Sequence, residues 1–253
     1  HPDAKVLAFV HAETSTGARS DAGTLCRLAR EHDCLTIVDT VTSLGGIPVF
    51  VDEWGIDAIY SGSQKCLSCT PGLSPVSFSP RAVERIRSRT HRVQSWFLDM
   101  NLVMGYWGSG GQRSYHHTAP INALYGLHEA LVMLKEEGLE NAWARHQRHH
   151  LALRAGVESL GLEFIVNEPD RLPQLNAVSV PEGVDEALVR SRARVAVVQD
   201  GIEFLSRRGR VVAQRLTADF SDANHATFTF TDESQRPPLV IASDRDFRRV
   251  MIE

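Results

Sequence analysis

Ala58-Ile-Tyr-Ser-Gly-Ser-Gln-Lys-Cys66 is the stretch that decides the fold. The apolar run from Ile56 to Tyr60 stops abruptly in small and polar residues, and Lys65 follows, the only lysine between Lys5 and Lys135. This reads as a strand, a small-residue turn and a single amine carried to the end of a sheet. Upstream, Leu35-Thr-Ile-Val-Asp39 is a second apolar run, closed by a carboxylate. Lys5-Val-Leu-Ala-Phe-Val10 is a third, and it runs into the polar turn His11-Ala-Glu-Thr-Ser-Thr-Gly17. Between these two, residues 21–32 place Ala22, Leu25, Cys26, Leu28 and Ala29 at helical spacing, with Ser20 or Asp21 as the cap. Residues 75–78 are expected to add a fourth strand after the turn Thr70-Pro-Gly72.

Strand, helix, strand, short crossover and strand, with continuous rather than alternating apolar runs, predict an α/β fold with a mainly parallel sheet. Ligands of such sheets collect outside the carboxyl ends of the strands. Thr14, Asp39 and Lys65 all fall at such ends.

The 253 residues suffice for one large core, or for one core and a smaller domain. Hydrophobic and charged contents of 43% and 23% are those of a soluble globular protein. A net charge of −4 supplies no reason to expect nucleic acid or an anionic membrane as partner. No apolar run reaches membrane-spanning length and no basic-then-apolar secretory leader opens the chain. Cys26, Cys34, Cys66 and Cys69 lie inside apolar or helical patterns and read as reduced, buried thiols of a cytoplasmic protein. Cys66-Leu-Ser-Cys69 has the form of half a zinc or redox motif but lacks a second pair, and no metal site is expected. Because the chain enters directly on a strand, an N-terminal portion is expected to be missing.

Farther along, residues 80–90 read as a basic surface helix opened by Pro80. Residues 94–118, rich in aromatics and glycine, read as a long irregular binding or contact segment. Ile121, Leu124, Leu127, Leu131 and Leu134 define an amphipathic helix ending near Gly138, and a second runs from Leu139 to Leu160. Extended pieces at 162–166 and 177–180 and a helix near 185–195 suit a smaller α+β domain. The expected division is 1–137 for part of a large domain and 138–253 for a small one. Past about Ala196 no element is assigned, and Thr217 to Thr231 shows neither a helical nor a strand period.

A lysine amine can join an aldehyde as a Schiff base once it loses its proton. A pyridoxal phosphate site also needs a carboxylate on the pyridine nitrogen, donors for the phosphate and contacts to the ring faces. Taken alone, Asp39 reads better as a helix or turn cap following a strand. Ile37-Val-Asp-Thr-Val-Thr-Ser-Leu-Gly-Gly46, Gly55-Ile-Asp-Ala-Ile-Tyr-Ser-Gly-Ser-Gln-Lys65 and Pro71-Gly72 resemble the class V aminotransferases, chiefly their alanine–glyoxylate and serine–pyruvate group. His11 to Gly17, Tyr115-His-His-Thr118 and Gly138-Leu-Glu-Asn-Ala-Trp143 match in the same order, so the resemblance covers about residues 5–195.

The resemblance implies the type I fold of pyridoxal-phosphate enzymes and pyridoxal 5'-phosphate as cofactor. It implies that Lys65 forms the internal aldimine and moves a proton, that Asp39 pairs with the pyridine nitrogen, and that Val41 packs on the ring. Gln64 would bind the phosphate and Thr14 would hydrogen-bond the cofactor. Tyr115 and Thr118 would reach the phosphate of the neighbouring subunit of a homodimer with shared sites. The implied activity is transfer of an amino group from alanine or serine to glyoxylate or pyruvate by ping-pong chemistry. A lyase or desulfurase of the same cofactor class, and a truncated non-catalytic remnant, are the alternatives.

Two parts of the family pattern have no match here. The phosphate-cup turn and ring-stacking aromatic belong to the family's N-terminal third, and the arginine for the substrate carboxylate has no counterpart beyond the loosely placed Arg210 and Arg215. His116-His117 is expected to be no metal site, because adjacent side chains diverge. His149-His150 is expected on solvated helix surface. Trp96 and Trp107 are expected to pack the loop or touch a partner rather than stack on a ring.

Overall fold

The computed structural model describes residues 1–107 and 114–188, and the backbone of strands at 215–222, 225–231 and 239–241. The chain divides into two compact units, His1–Ser179 and Val180–Glu253. The boundary expected after residue 137 falls inside the first of them.

The first unit is built on a four-stranded sheet. Strands β1 (Val6–Val10), β4 (Leu35–Asp39) and β5 (Ala58–Tyr60) run parallel in that order, and β6 (Val76–Phe78) closes the edge antiparallel to β5. The two short strands β2 (Ala12–Glu13) and β3 (Ala18–Arg19) make a hairpin just beyond β1. Val10, Asp39, Tyr60 and Val76 are successive register mates across the sheet. Partners in register share a face, so Asp39 and Tyr60 stand side by side at the carboxyl ends of β4 and β5.

Helix α1 (Ala22–Glu31) covers one face. It starts where Asp21 Oδ1 accepts the Thr24 N–H at 3.0 Å, and it buries Ala22, Cys26 and Ala29 along one stripe. Cys26, Val38, Ile56 and Ile59 form the core with Phe9, Val49, Val51 and Trp54. Residues 47–50 lead into the short helix α2 (Val51–Trp54), which Gly55 ends in a left-handed conformation (φ 63°). A Cβ on Gly55 would stand 2.7 Å from the Arg30 guanidinium, which donates to the Gly55 carbonyl. On the opposite face of the sheet Val6, Ile37, Tyr60 and Val76 are exposed.

Helix α3 (Pro80–Arg87) follows β6, with the Ser79 hydroxyl accepting from the Ala82 N–H and Pro80 in the first turn. The segment expected to be irregular contains α4 (Met100–Trp107). Asp99 explains it: its side chain accepts the Asn101 N–H and its carbonyl accepts from Leu102 and Val103, closing a first turn that the aromatic composition conceals. Helices α5 (Ile121–Glu137) and α6 (Leu139–Ser159) break at Gly138 (φ 85°) and are tied by Arg145, which grips Glu137 through Nε and Nη2 at 2.6 and 2.9 Å. His150 is buried rather than solvated: its Nδ1 lies 2.7 Å from Asn176 Oδ1 and its ring meets Phe164 edge-on. No described helix is long and apolar enough to cross a membrane.

In the second unit, β7 (Arg215–Asp222), β8 (His225–Thr231) and β9 (Leu239–Ile241) form an antiparallel sheet. This corrects the reading of Thr217 to Thr231 as unpatterned. The strand period is there in Thr227-Phe-Thr-Phe-Thr231, and the acidic residues around 219–222 mask it in a wider window. The helix expected over 185–195 lies mostly outside the described residues, as do Arg207, Arg208, Arg210 and Pro237-Pro238.

Candidate active site

Two turns beyond the strand ends carry the predicted residues, and backbone bonds stitch them together. After β4 the chain folds through Thr40 to Gly46, and after β5 it turns through Ser61 to Thr70. Thr40 N and Oγ1 both donate to the Tyr60 carbonyl at 2.9 Å, and Ser61 Oγ returns a bond to the Thr40 carbonyl at 3.0 Å. Farther out, Cys66 Sγ approaches the Thr42 carbonyl at 3.8 Å. The Lys65 turn is itself closed by Ser68 N to Lys65 O, Cys69 N to Ser63 O, and Ser63 Oγ to Thr70 O. Every group that aligns the two turns is small or backbone, which is why the sequence there reads Ser-Gly-Ser.

Asp39 is half-buried and oriented at both oxygens. Oδ1 accepts the Val41 N–H at 2.8 Å, and Oδ2 accepts the Tyr60 hydroxyl at 2.7 Å. That carboxylate, and secondarily burial, hold the Tyr60 phenol above its usual pKa, so it remains a donor. Each carboxylate oxygen keeps a lone pair for a further partner. Tyr60 is the residue that sequence reasoning passed over. Its role follows from parallel register with Asp39, a relation across 21 positions that no local pattern carries.

Lys65 and Gln64 are exposed, and the Lys65 amine makes no hydrogen bond or ion pair among the described residues. Gly62 leaves a concavity beside them: a Cβ there would stand 2.9 Å from Gln64 Oε1 and 3.3 Å from Val41 Cγ1. Val41, Gly62 and Gln64 therefore meet at one point. Gly45 (φ 89°) likewise brings its backbone close to the Cys66 carbonyl, 3.1 Å from where its Cβ would be. Cys66 is held by burial above the usual thiol pKa, and its proximity to Lys65 and Arg145 offsets this only in part.

Thr14 sits exposed in the β2–β3 turn, closed by Gly17 N to Glu13 O at 2.8 Å. The hairpin's root is tied to the site: His11 N donates to the Asp39 carbonyl at 2.9 Å, and Thr42 Oγ1 donates to Ala12 O at 2.7 Å. Thr14 itself makes no hydrogen bond to the other candidates. His11 is buried, its ring edge-on to Trp54 at 5.3 Å and its Nδ1 without a partner; burial, aided by nearby Arg19, lowers its pKa to about 4.

Tyr115 and Thr118 share a short hydroxyl–hydroxyl bond and are both exposed. No described hydrogen bond joins them to Asp39, Val41, Gln64 or Lys65. Of Arg215 only the backbone, in β7, is described.

The donor set suits pyridoxal 5'-phosphate: an oriented carboxylate for a ring nitrogen, an unpaired exposed amine for an aldehyde, and a Gly62 concavity between Val41 and Gln64 where a side chain would intrude.

Comparison with known proteins agrees. The aminotransferase class-V family model matches residues 1–218. An alanine–glyoxylate aminotransferase of Drosophila melanogaster is 45% identical over 184 residues, 72% of this chain and 47% of the relative. An (S)-ureidoglycine–glyoxylate transaminase of Bacillus subtilis is 34% identical over 223 residues, 81% of this chain and 52% of the relative. The solved alanine–glyoxylate aminotransferase of Nostoc sp. superposes with a TM-score of 0.72 at 48% identity, covering 81% of this chain and 54% of that one. The chain thus spans about half the length of the relatives it matches. From its sequence and from its fold, this chain belongs to the class V aminotransferases, the pyridoxal-phosphate enzymes of fold type I.

Proposed function

We propose that the protein is an aminotransferase that takes an amino group from a small donor, alanine or serine, and delivers it to glyoxylate or pyruvate in ping-pong fashion. The observation that carries this reading is the stitching of the Asp39 and Lys65 turns at the carboxyl ends of neighbouring parallel strands. Pyridoxal phosphate, when bound, supplies an electron sink for the substrate's Cα.

The chain's own residues do the rest. Asp39, oriented by Val41 N–H and Tyr60 Oη, places a fixed negative charge for the ring nitrogen and favours its protonated form. Val41 would pack a ring face, Gln64 would donate to the phosphate, and Thr14 would donate from the hairpin turn. Lys65 Nζ would hold the aldehyde end and move the proton at the substrate's Cα. Tyr115 and Thr118 serve the phosphate site of a second copy, so the working unit is a homodimer with shared sites. Four free thiols fit a reducing, cytoplasmic setting. A desulfurase would need a mobile thiolate beside the lysine. Burial holds Cys66 in its neutral form, which supports transfer over sulfur chemistry.

The test is to add pyridoxal phosphate to the purified chain and record its visible spectrum. A cofactor band present in the wild type and absent in Lys65→Ala is expected. Half-reactions with alanine and serine should then discharge it to the amino form. A folded chain that shows no band overturns the reading.

A further inference from the structure

His116 and His117 are adjacent, yet their rings turn toward each other rather than diverging as the sequence suggests. The two Nδ1 atoms lie 2.9 Å apart, and His116 Nε2 lies 2.9 Å from the Trp96 carbonyl. A carbonyl only accepts, so His116 Nε2 carries a proton and its Nδ1, in the neutral ring, is bare. His117 must then donate from Nδ1, leaving its Nε2 lone pair free. His116 is buried, and its ring lies tilted against Trp96 with centroids 4.2 Å apart. Phe97 lies 4.7 Å and Tyr106 of α4 6.3 Å from the His117 ring, and Tyr106 also meets Tyr115 at 5.8 Å. The Tyr106 and Tyr115 hydroxyls are titratable groups of these walls. Among the described residues no Asp, Glu, Lys or Arg bonds to either imidazole, and no group of three or more His, Cys, Asp and Glu could hold a metal.

We propose that this imidazole pair is a proton-sensitive latch that positions the Tyr115 and Thr118 hydroxyls as phosphate ligands. The proposal rests on the aminotransferase reading for what those hydroxyls bind. The pair sits between the two hydroxyl residues in sequence and anchors both to the Trp96 segment and α4. One proton can be taken without loss, because it goes to His117 Nε2 and strengthens the Nδ1–H donor. A second must go to His116 Nδ1. That turns the acceptor into a donor, sets two imidazolium N–H groups face to face with no carboxylate bonded to them among the described residues, and opens the latch. Cofactor held through Tyr115 and Thr118 is then released on the acid side.

Cofactor affinity, read from the visible band, and imidazole 15N–1H spectra are to be followed together from neutral pH into acid. At neutral pH the spectra should show His116 protonated at Nε2 and His117 at Nδ1, with acid release of cofactor accompanying protonation of His116 Nδ1. His117→Phe keeps the ring packing but removes the donor, and should weaken cofactor binding about tenfold at every pH. His117→Asn cannot titrate, and its amide can offer His116 Nδ1 a donor or, once that nitrogen is protonated, an acceptor, so it should recover most of that affinity and flatten its pH dependence. Opposite tautomers, or acid release unchanged in His117→Asn, overturn the latch. A wild-type chain that takes up no cofactor overturns the aminotransferase reading instead, and the imidazole spectra still decide the latch.

Discussion

Two aspartates stand at opposite ends of the same strand pair and show how one residue type serves two ends. Asp57, just before β5, is 2% exposed. Its Oδ2 accepts the Thr36 N–H at 3.0 Å and faces Arg81 Nη1 at 3.4 Å, and its Oδ1 accepts the Ser79 hydroxyl at 2.9 Å. Arg81 reaches on to Asp33 at 2.9 Å. Asp39, at the carboxyl end of β4, has a backbone N–H and a phenol as its only described partners and faces no cation among the described residues. Both carboxylates are oriented, but only one is saturated. A buried carboxylate is tolerated where the fold itself supplies its partners; a half-buried one with spare lone pairs is a place for a ligand.

The sharpest way to break this contrast is to remove each carboxylate in turn. Asp57→Ala leaves the Thr36 N–H and the Ser79 hydroxyl without an acceptor inside the protein, and is expected to lower unfolding free energy by about 3–5 kcal/mol in urea melts. Asp39→Ala should change it by less than about 1 kcal/mol while abolishing the visible cofactor band. Equal losses from both would erase the distinction.

Acid sharpens it next. His11, whose N–H bonds the Asp39 carbonyl, stays neutral in the fold down to about pH 4, whereas the unfolded chain takes its proton below about 6.5. The folded pKa is the lower one, so its contribution is intact above pH 6.5 and is lost as pH falls toward 4. The loss should reach about 3 kcal/mol relative to His11→Phe, compared by denaturant melts across that window.

The smallest effect is Tyr60→Phe. The bond it removes is water-exposed at one end, so stability should fall by only about 0.5 kcal/mol. Cofactor affinity should fall by several-fold, because Asp39 loses the partner that aims Oδ2. An unchanged affinity would leave Asp39 oriented by Val41 alone.

Much of this was legible in the chain. Asp39 stands out because it closes an apolar run, and Lys65 because it follows the small-residue turn after the next one; Gln64 came only with the family resemblance. Tyr60 and Asp57 were not legible as partners, since one depends on register and the other on residues 21 to 24 positions away meeting at a strand entrance. The histidine pair escaped because adjacent side chains on a strand or loop are expected to diverge, and this segment bends at His117. Helix α4 was hidden by aromatics, and the β7–β8 hairpin by neighbouring acids.

The Asp57 cluster also bears on how the chain is made. Its members emerge from synthesis in the order Asp33, Thr36, Asp57, Ser79, Arg81. Until Arg81 has left the ribosome, docking β5 against β4 would bury an anion beside Thr36 with no cation to balance it. The strand pair that bears Asp39 therefore gains its lasting stability only when the edge strand and α3 arrive. The carboxylate at one end of the sheet schedules when the other end can be occupied.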